Sequence, residues 1–114
     1  MSRITIVVAR DFSDTPGPRN KSDGEFSGEE FLHTTLRPAF IDARKQGTRL
    51  FVDLDGAEGY ATSFLEESFG GLAREFGADV VAGILDLKSQ EEPYLIAEVM
   101  RYIDNTRSDA HAGA

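Results

Sequence analysis

A chain of 114 residues, 40% hydrophobic and 28% charged, has the composition of a single soluble globular domain large enough for its own core. It contains no cysteine, which excludes disulfides, zinc ribbons and thiol catalysis together. Its formal net charge of −8 repels phosphate backbones and argues against a nucleic-acid partner. Residues 53–92 hold ten acids and only two bases, so the middle of the chain is its acidic part and favours a partner with a basic patch.

The first element is the apolar, β-branched run Ile4 to Ala9, read as a strand buried on both faces. It is too short to span a membrane, and Arg10-Asp11 closes it with no cleavage signal, so a cytoplasmic protein is expected. Residues 10–27 are rich in Pro, Gly and small polar residues and read as turns, with a weak edge strand near Arg19–Ser22. Ser27, with Glu30 three residues on, fits a capping box that opens a helix carrying Phe31, Leu32, Leu36, Phe40 and Ile41. Pro38 predicts a kink or break in it, and Gly47 predicts its end.

The second strand runs from Arg49 to Asp53. The next helix starts at Ser63, with Leu65, Phe69, Leu72 and Phe76 as one apolar stripe and Gly77 as its stop. Gly70-Gly71 inside that stripe predicts close approach to a neighbouring element. Val80 to Leu85 reads as the third strand. Pro93 then leads into an amphipathic helix through Leu95, Ile96, Val99, Met100 and Ile103. The domain is expected to occupy residues 1–104, with 105–114 a disordered tail. The alternation of strands and helices predicts an α/β domain with a largely parallel sheet. The loops after its strands, Asp53 to Thr62 and Asp86 to Glu92, are then the expected site.

Several chemistries compete for that site. Ser63-Phe64-Leu65-Glu66 reads as a second capping box, which makes Ser63 a helix cap. Thr62 and Ser63 are also candidate phosphorylation sites, because a helix N-terminus stabilises a phosphate, although Glu66 and Glu67 would repel it. Asp53-Leu54-Asp55-Gly56 after a hydrophobic strand looks like the first motif of haloacid-dehalogenase-type phosphatases, which implies a magnesium-dependent enzyme using Asp53 and Asp55, with Lys88 as a lone companion. A nucleotide-binding domain is a further alternative, although neither Gly70-Gly71 nor Thr15–Arg19 matches a phosphate-binding loop. His33 and His111 have no ligand-spaced partners, so no metal or other cofactor is expected. Arg10, Arg19 and Lys21 form a small basic cluster, either solvated or folded back onto the acidic corner.

Thr15-Pro16-Gly17-Pro18-Arg19, Asp23-Gly24, Ser27 to Phe31, Val52 to Gly56, Ser63 to Glu67 and Phe69 to Leu72 occur in this order. In that series the chain resembles the bacterial STAS-like domain family of uncharacterised function, over residues 4–104. That family is similar to the sulfate-transporter and anti-sigma-factor-antagonist (STAS) domains. The resemblance implies a STAS-like sandwich, a small mixed and mainly parallel sheet with helices packed on one face. It implies a non-enzymatic regulatory module whose partner is a regulatory protein, such as an ATPase-fold, histidine-kinase-like kinase. In antagonists the helix after the central strand starts at an Asp-Ser pair whose serine is phosphorylated. Here Ala61 stands where the Asp would be, Thr62 at the acceptor position and Ser63 after it. The expected recognition surface comprises Asp55, Glu58, Tyr60, Thr62, Ser63, Glu66 and Glu67.

Overall fold

The computed structural model describes residues 3–112, with side chains through Arg107. Three strands, β1 (Ile4–Val7), β2 (Leu50–Asp53) and β3 (Leu85–Lys88), form a sheet in the order β1-β2-β3. All neighbours are parallel, so the sheet is not mixed among the described residues. Helices fill the connections: a short α1 (Val8–Asp11), α2 over residues 28–46, α3 over residues 62–76, α4 (Ala78–Ile84) and α5 (Tyr94–Ala112).

The sheet has one covered face. The register aligns Ile4, Leu50 and Leu85 in one row and Ile6, Val52 and Leu87 in another, and these rows enter the core. The alternate rows, Thr5-Phe51-Asp86 and Val7-Asp53-Lys88, point the other way and remain exposed or half-buried. Polar pairs cover this open face: the Arg3 guanidinium lies 4.0 Å over the Phe51 ring, and Arg49 holds Asp86 at 2.7 Å. The expectation of a first strand buried on both sides therefore fails. That strand also ends at Val7, because the chain turns helical at Val8, whose carbonyl takes the amides of Phe12 and Ser13. On the outer edge of β1 the Val7 amide donates to the Asp11 carboxylate at 2.7 Å.

Helix α2 starts as its sequence dictates. Ser27 is extended, and its hydroxyl accepts from the Glu30 amide at 3.0 Å. Pro38 does not break it. Residues Leu32–Leu36 form a π turn in which the Arg37 amide reaches back to the Leu32 carbonyl. The wider turn accommodates the proline, which has no N–H to give and would otherwise crowd the Thr34 carbonyl. The helix continues to Gly47, whose φ of 68° closes it.

Helix α3 carries a second π turn, Glu66–Gly70, where the buried Ser68 hydroxyl donates to the Phe64 carbonyl at 2.8 Å. The two helices touch closely. A Cβ on Gly28 would lie 2.6 Å from the Phe64 carbonyl oxygen, and one on Gly71 would lie 2.9 Å from Leu32 Cδ2. Gly71 thus meets the expectation of close approach. Phe31 lies between the helices, stacked on Phe64 at 5.6 Å and edge-on to Phe69 at 6.1 Å, and all three are fully buried.

The expected third strand, Val80 to Leu85, is instead helix α4 followed by the start of β3. Gly77, at φ 98°, reverses the chain, and its carbonyl takes the Val81 amide at 3.1 Å. Ala78 and Val81 then bury at helical spacing, while the Leu-Asp-Leu-Lys alternation that follows from Leu85 supplies the strand. The weak edge strand near Arg19–Ser22 is a 3-10 turn, Lys21–Asp23. Helix α5 buries Leu95, Val99 and Ile103, then continues through Thr106, itself buried and donating to the Ile103 carbonyl at 2.7 Å. Arg107 pairs with Asp79 of α4 at 2.6 Å. Of the expected tail, residues 113 and 114 lie outside the described residues. No described helix is long and apolar enough to cross a membrane.

Candidate functional site

The loop after β2 is tied to the loop after β3. The Leu54 amide continues the ladder by donating to the Lys88 carbonyl at 2.8 Å. Asp53 turns back on its own loop, accepting from the Asp55 amide at 2.9 Å. Asp55 crosses to the other loop and accepts from the amides of Gln90 and Glu91, each at 2.9 Å from Oδ1. Glu91 returns the contact by accepting from the Gly56 amide at 2.8 Å. Lys88 Nζ lies 3.5 Å from Asp53 and 3.9 Å from Asp55, because β3 places it beside Asp53 in register. Tyr60 closes the knot by donating its hydroxyl to the Leu54 carbonyl at 2.9 Å, with its ring against Phe64.

These contacts set the protonation states. The Glu91 amide holds Asp55 below the ordinary aspartate range; desolvation opposes it, and the Gln90 amide and Lys88 add to the lowering. Burial, helped by Asp53 and Asp55, pushes the Tyr60 phenol well up, so it stays a neutral donor. Asp55 is therefore a loop-bridging carboxylate. Its oxygens are taken by backbone amides, and its lowered pKa opposes service as a proton donor. The geometry does not favour the phosphatase reading. Among the described residues no group of three or more His, Asp or Glu is arranged to hold a metal ion.

Helix α3 begins directly after this knot. Ala61 occupies the extended cap position, φ −67° and ψ 142°, and accepts from the amides of Phe64 and Leu65. The cap expected at Ser63 is absent. Ser63 lies inside the first helical turn, where its hydroxyl has no free amide to accept from. Its expected box partner Glu66 is engaged elsewhere. Thr62 is exposed, Ser63 is half-buried, and no side chain caps the first turn.

Glu66 and Glu67 are gathered by a clamp. The loop before α2 is pinned to that helix by Gly28 N–H to Pro18 O at 2.8 Å and Glu29 N–H to Arg19 O at 2.9 Å. It delivers Arg19 to Glu66 at 2.5 Å and to Glu67 at 3.3 Å. Arg74 holds the second oxygen of Glu66 at 2.7 Å. The π turn brings this about, since it takes up an extra residue and sets position i+8, rather than i+7, over position i. Desolvation raises the Glu66 pKa, but Arg19 and Arg74 outweigh it and the net direction is down. Of the basic cluster, Arg19 folds onto the acidic corner, while Arg10 pairs with its neighbour Asp11.

The residues expected at the site are thus contiguous but not alike. Asp55 and Tyr60 hold the loop, Glu66 and Glu67 are ion-paired, and Thr62 and Glu58 are exposed. Arg74 and the Gln90–Glu91 amides were not singled out as site residues, and only the acidic loop after β3 hinted at the latter.

A family described as a STAS-like domain of unknown function (DUF4325) matches residues 27–95. That span begins at the Ser27 cap, takes in the corner with Glu66, Glu67 and Arg74 but not Arg19, and ends in the first turn of α5. No curated protein and no solved structure matches the chain. The match covers more than half of the chain, together with both helices and both loops that build the corner, and the chain belongs to the STAS-like domain family of unknown function.

Proposed function

We propose that the chain is a non-enzymatic regulatory module, read by a partner protein at the corner formed by the loop after β2 and the start of α3. The observation that carries the reading is the exposed Thr62 on an uncapped helix end whose neighbouring acids are already neutralised. Glu66 and Glu67 would repel a phosphate in the first turn. With Arg19 and Arg74 on them that repulsion is reduced, and the positive end of the helix dipole favours an anion. Thr62 is the better-exposed acceptor, and Ser63 the second. The partner that fits is an ATPase-fold, histidine-kinase-like kinase with a basic docking surface, acting in the cytoplasm. Asp55 and Glu58 supply the acidic rim it would meet, with Tyr60 beside them.

Incubation with such a kinase and ATP, followed by intact mass measurement, tests the switch. The expected result is one added phosphate that disappears in Thr62→Ala or, failing that, in Ser63→Ala. No mass gain, with binding unchanged in Thr62→Glu and Ser63→Glu, sinks the phosphorylation part. Binding unaffected by Glu58→Lys removes the acidic rim from the interface.

A further inference from the structure

Ile41, Arg44 and Lys45 of α2 and Phe76 of α3 line a groove of about 350 Å³. Phe76 packs on the buried Phe40 at 4.9 Å, and the guanidinium of Arg44 lies 5.8 Å from its ring. Arg37, whose guanidinium lies 5.7 Å from the same ring, is held by Glu75 at 2.6 Å. Arg44 and Lys45 have no carboxylate at ion-pair distance among the described residues. In a chain of net charge −8, two uncompensated cations beside a half-buried aromatic ring are a local exception.

The complementary surface lies on the same molecule. Tyr94, which opens α5, is 58% exposed, more than any other large hydrophobic side chain described. Carboxylates surround it. Its hydroxyl donates to Glu92 at 2.8 Å; Glu91, one of whose oxygens holds the Gly56 amide, precedes it in the same loop, and Glu98, paired with Arg101 at 3.7 Å, follows one helical turn on.

The topology keeps the two surfaces apart. Helix α2 ends beside the start of β2, and α3 runs back from the end of β2 towards the start of β3, so the groove sits where the parallel strands begin. The loop that bears Tyr94 follows β3, where the strands finish. One molecule cannot close this contact on itself. We propose that the chain binds a second copy of itself head to tail, with Tyr94 and its carboxylates seated on the Phe76 groove between Arg44 and Lys45 of the next molecule. The aromatic ring replaces water over the apolar floor, and the acids meet the two free cations. The contact is heterologous, so each copy retains one free half and assembly extends beyond a pair. It uses neither Thr62 nor Ser63 and stands or falls apart from the phosphorylation reading.

Sedimentation velocity across a concentration series tests it. Wild-type protein at low ionic strength is expected to sediment faster as concentration rises, and to return to the monomer value in high salt. Tyr94→Ser and the double change Arg44→Glu with Lys45→Glu should each weaken self-association by about tenfold or more. These residues are exposed, and an unchanged circular dichroism spectrum shows that the variants fold. An equimolar mixture of the two variants should form a dimer and nothing larger, since only one groove and one tyrosine remain to pair. A wild type that stays monomeric throughout, assembly that either variant leaves unweakened, or a mixture that stays monomeric overturns the proposal.

Discussion

Asp55 shows how much a single carboxylate holds at the corner. Its bonds to the Gln90 and Glu91 amides join the loop after β2 to the loop after β3. Asp55→Ala leaves those amides to water and is expected to cost about 1–2 kcal/mol in urea unfolding, while Asp55→Asn, which keeps an acceptor, costs less. The pH dependence has a definite sign. Because the folded pKa is depressed, the native state binds the proton less readily than the unfolded chain does. The contribution is complete above the ordinary aspartate value of about 3.9 and is lost as pH falls through the lower folded value. Titration of the Asp55 carboxyl by NMR should place its midpoint below that ordinary value; a midpoint at or above it contradicts the amide contacts. The sequence showed an Asp-Leu-Asp-Gly turn and invited a catalytic reading, but which oxygens are already engaged depends on a loop 35 residues away.

At the scale of elements, the helices were legible where a local signal decides them. Ser27 with Glu30, Gly47 and the stripe from Leu65 to Phe76 each act within a turn or two of the chain. The two π turns were not legible. One answers Pro38, the other coincides with a buried serine, and both depend on how α2 and α3 meet. The run from Val80 to Leu85 misled because a short apolar stretch fits either period, and the glycine turn at Gly77 decides for a helix. Two glycine substitutions separate packing from propensity. Gly28→Ala would drive a methyl group into the Phe64 carbonyl and is expected to destabilise by about 1–3 kcal/mol. Gly83→Ala meets nothing within 4 Å in the exposed part of α4 and is expected to stabilise by up to about 1 kcal/mol. Equal urea midpoints for the two variants would contradict the close approach of α2 and α3.

At the scale of the molecule, one core contains every buried hydrophobic residue among those described, and strands and helices share it. Unfolding is therefore expected to be a single cooperative step, with coincident urea transitions by circular dichroism and by tyrosine fluorescence. With Tyr94 and Tyr102 replaced by Phe, the remaining signal is that of Tyr60, which sits against the core at the corner and reports that region. An early tyrosine transition would show that the corner opens independently. The one-sided sheet follows from the alternation in all three strands, which short apolar runs such as Ile4 to Val7 conceal until the register is known.

A three-stranded parallel sheet with an open face and two unpaired edges is an invitation to strand addition and fibril growth. The contact between Asp11 and the Val7 amide closes that route at β1, by occupying an outward-facing donor that an incoming strand would need. Asp11→Ala should leave the urea midpoint almost unchanged yet shorten the lag before thioflavin-positive aggregates form under agitation. In this view the Arg10-Asp11 pair, at the end of the short helix that follows the first strand, acts as a guard against aggregation: the carboxylate blocks the edge, and the neighbouring arginine keeps it ionised as the solution turns acid.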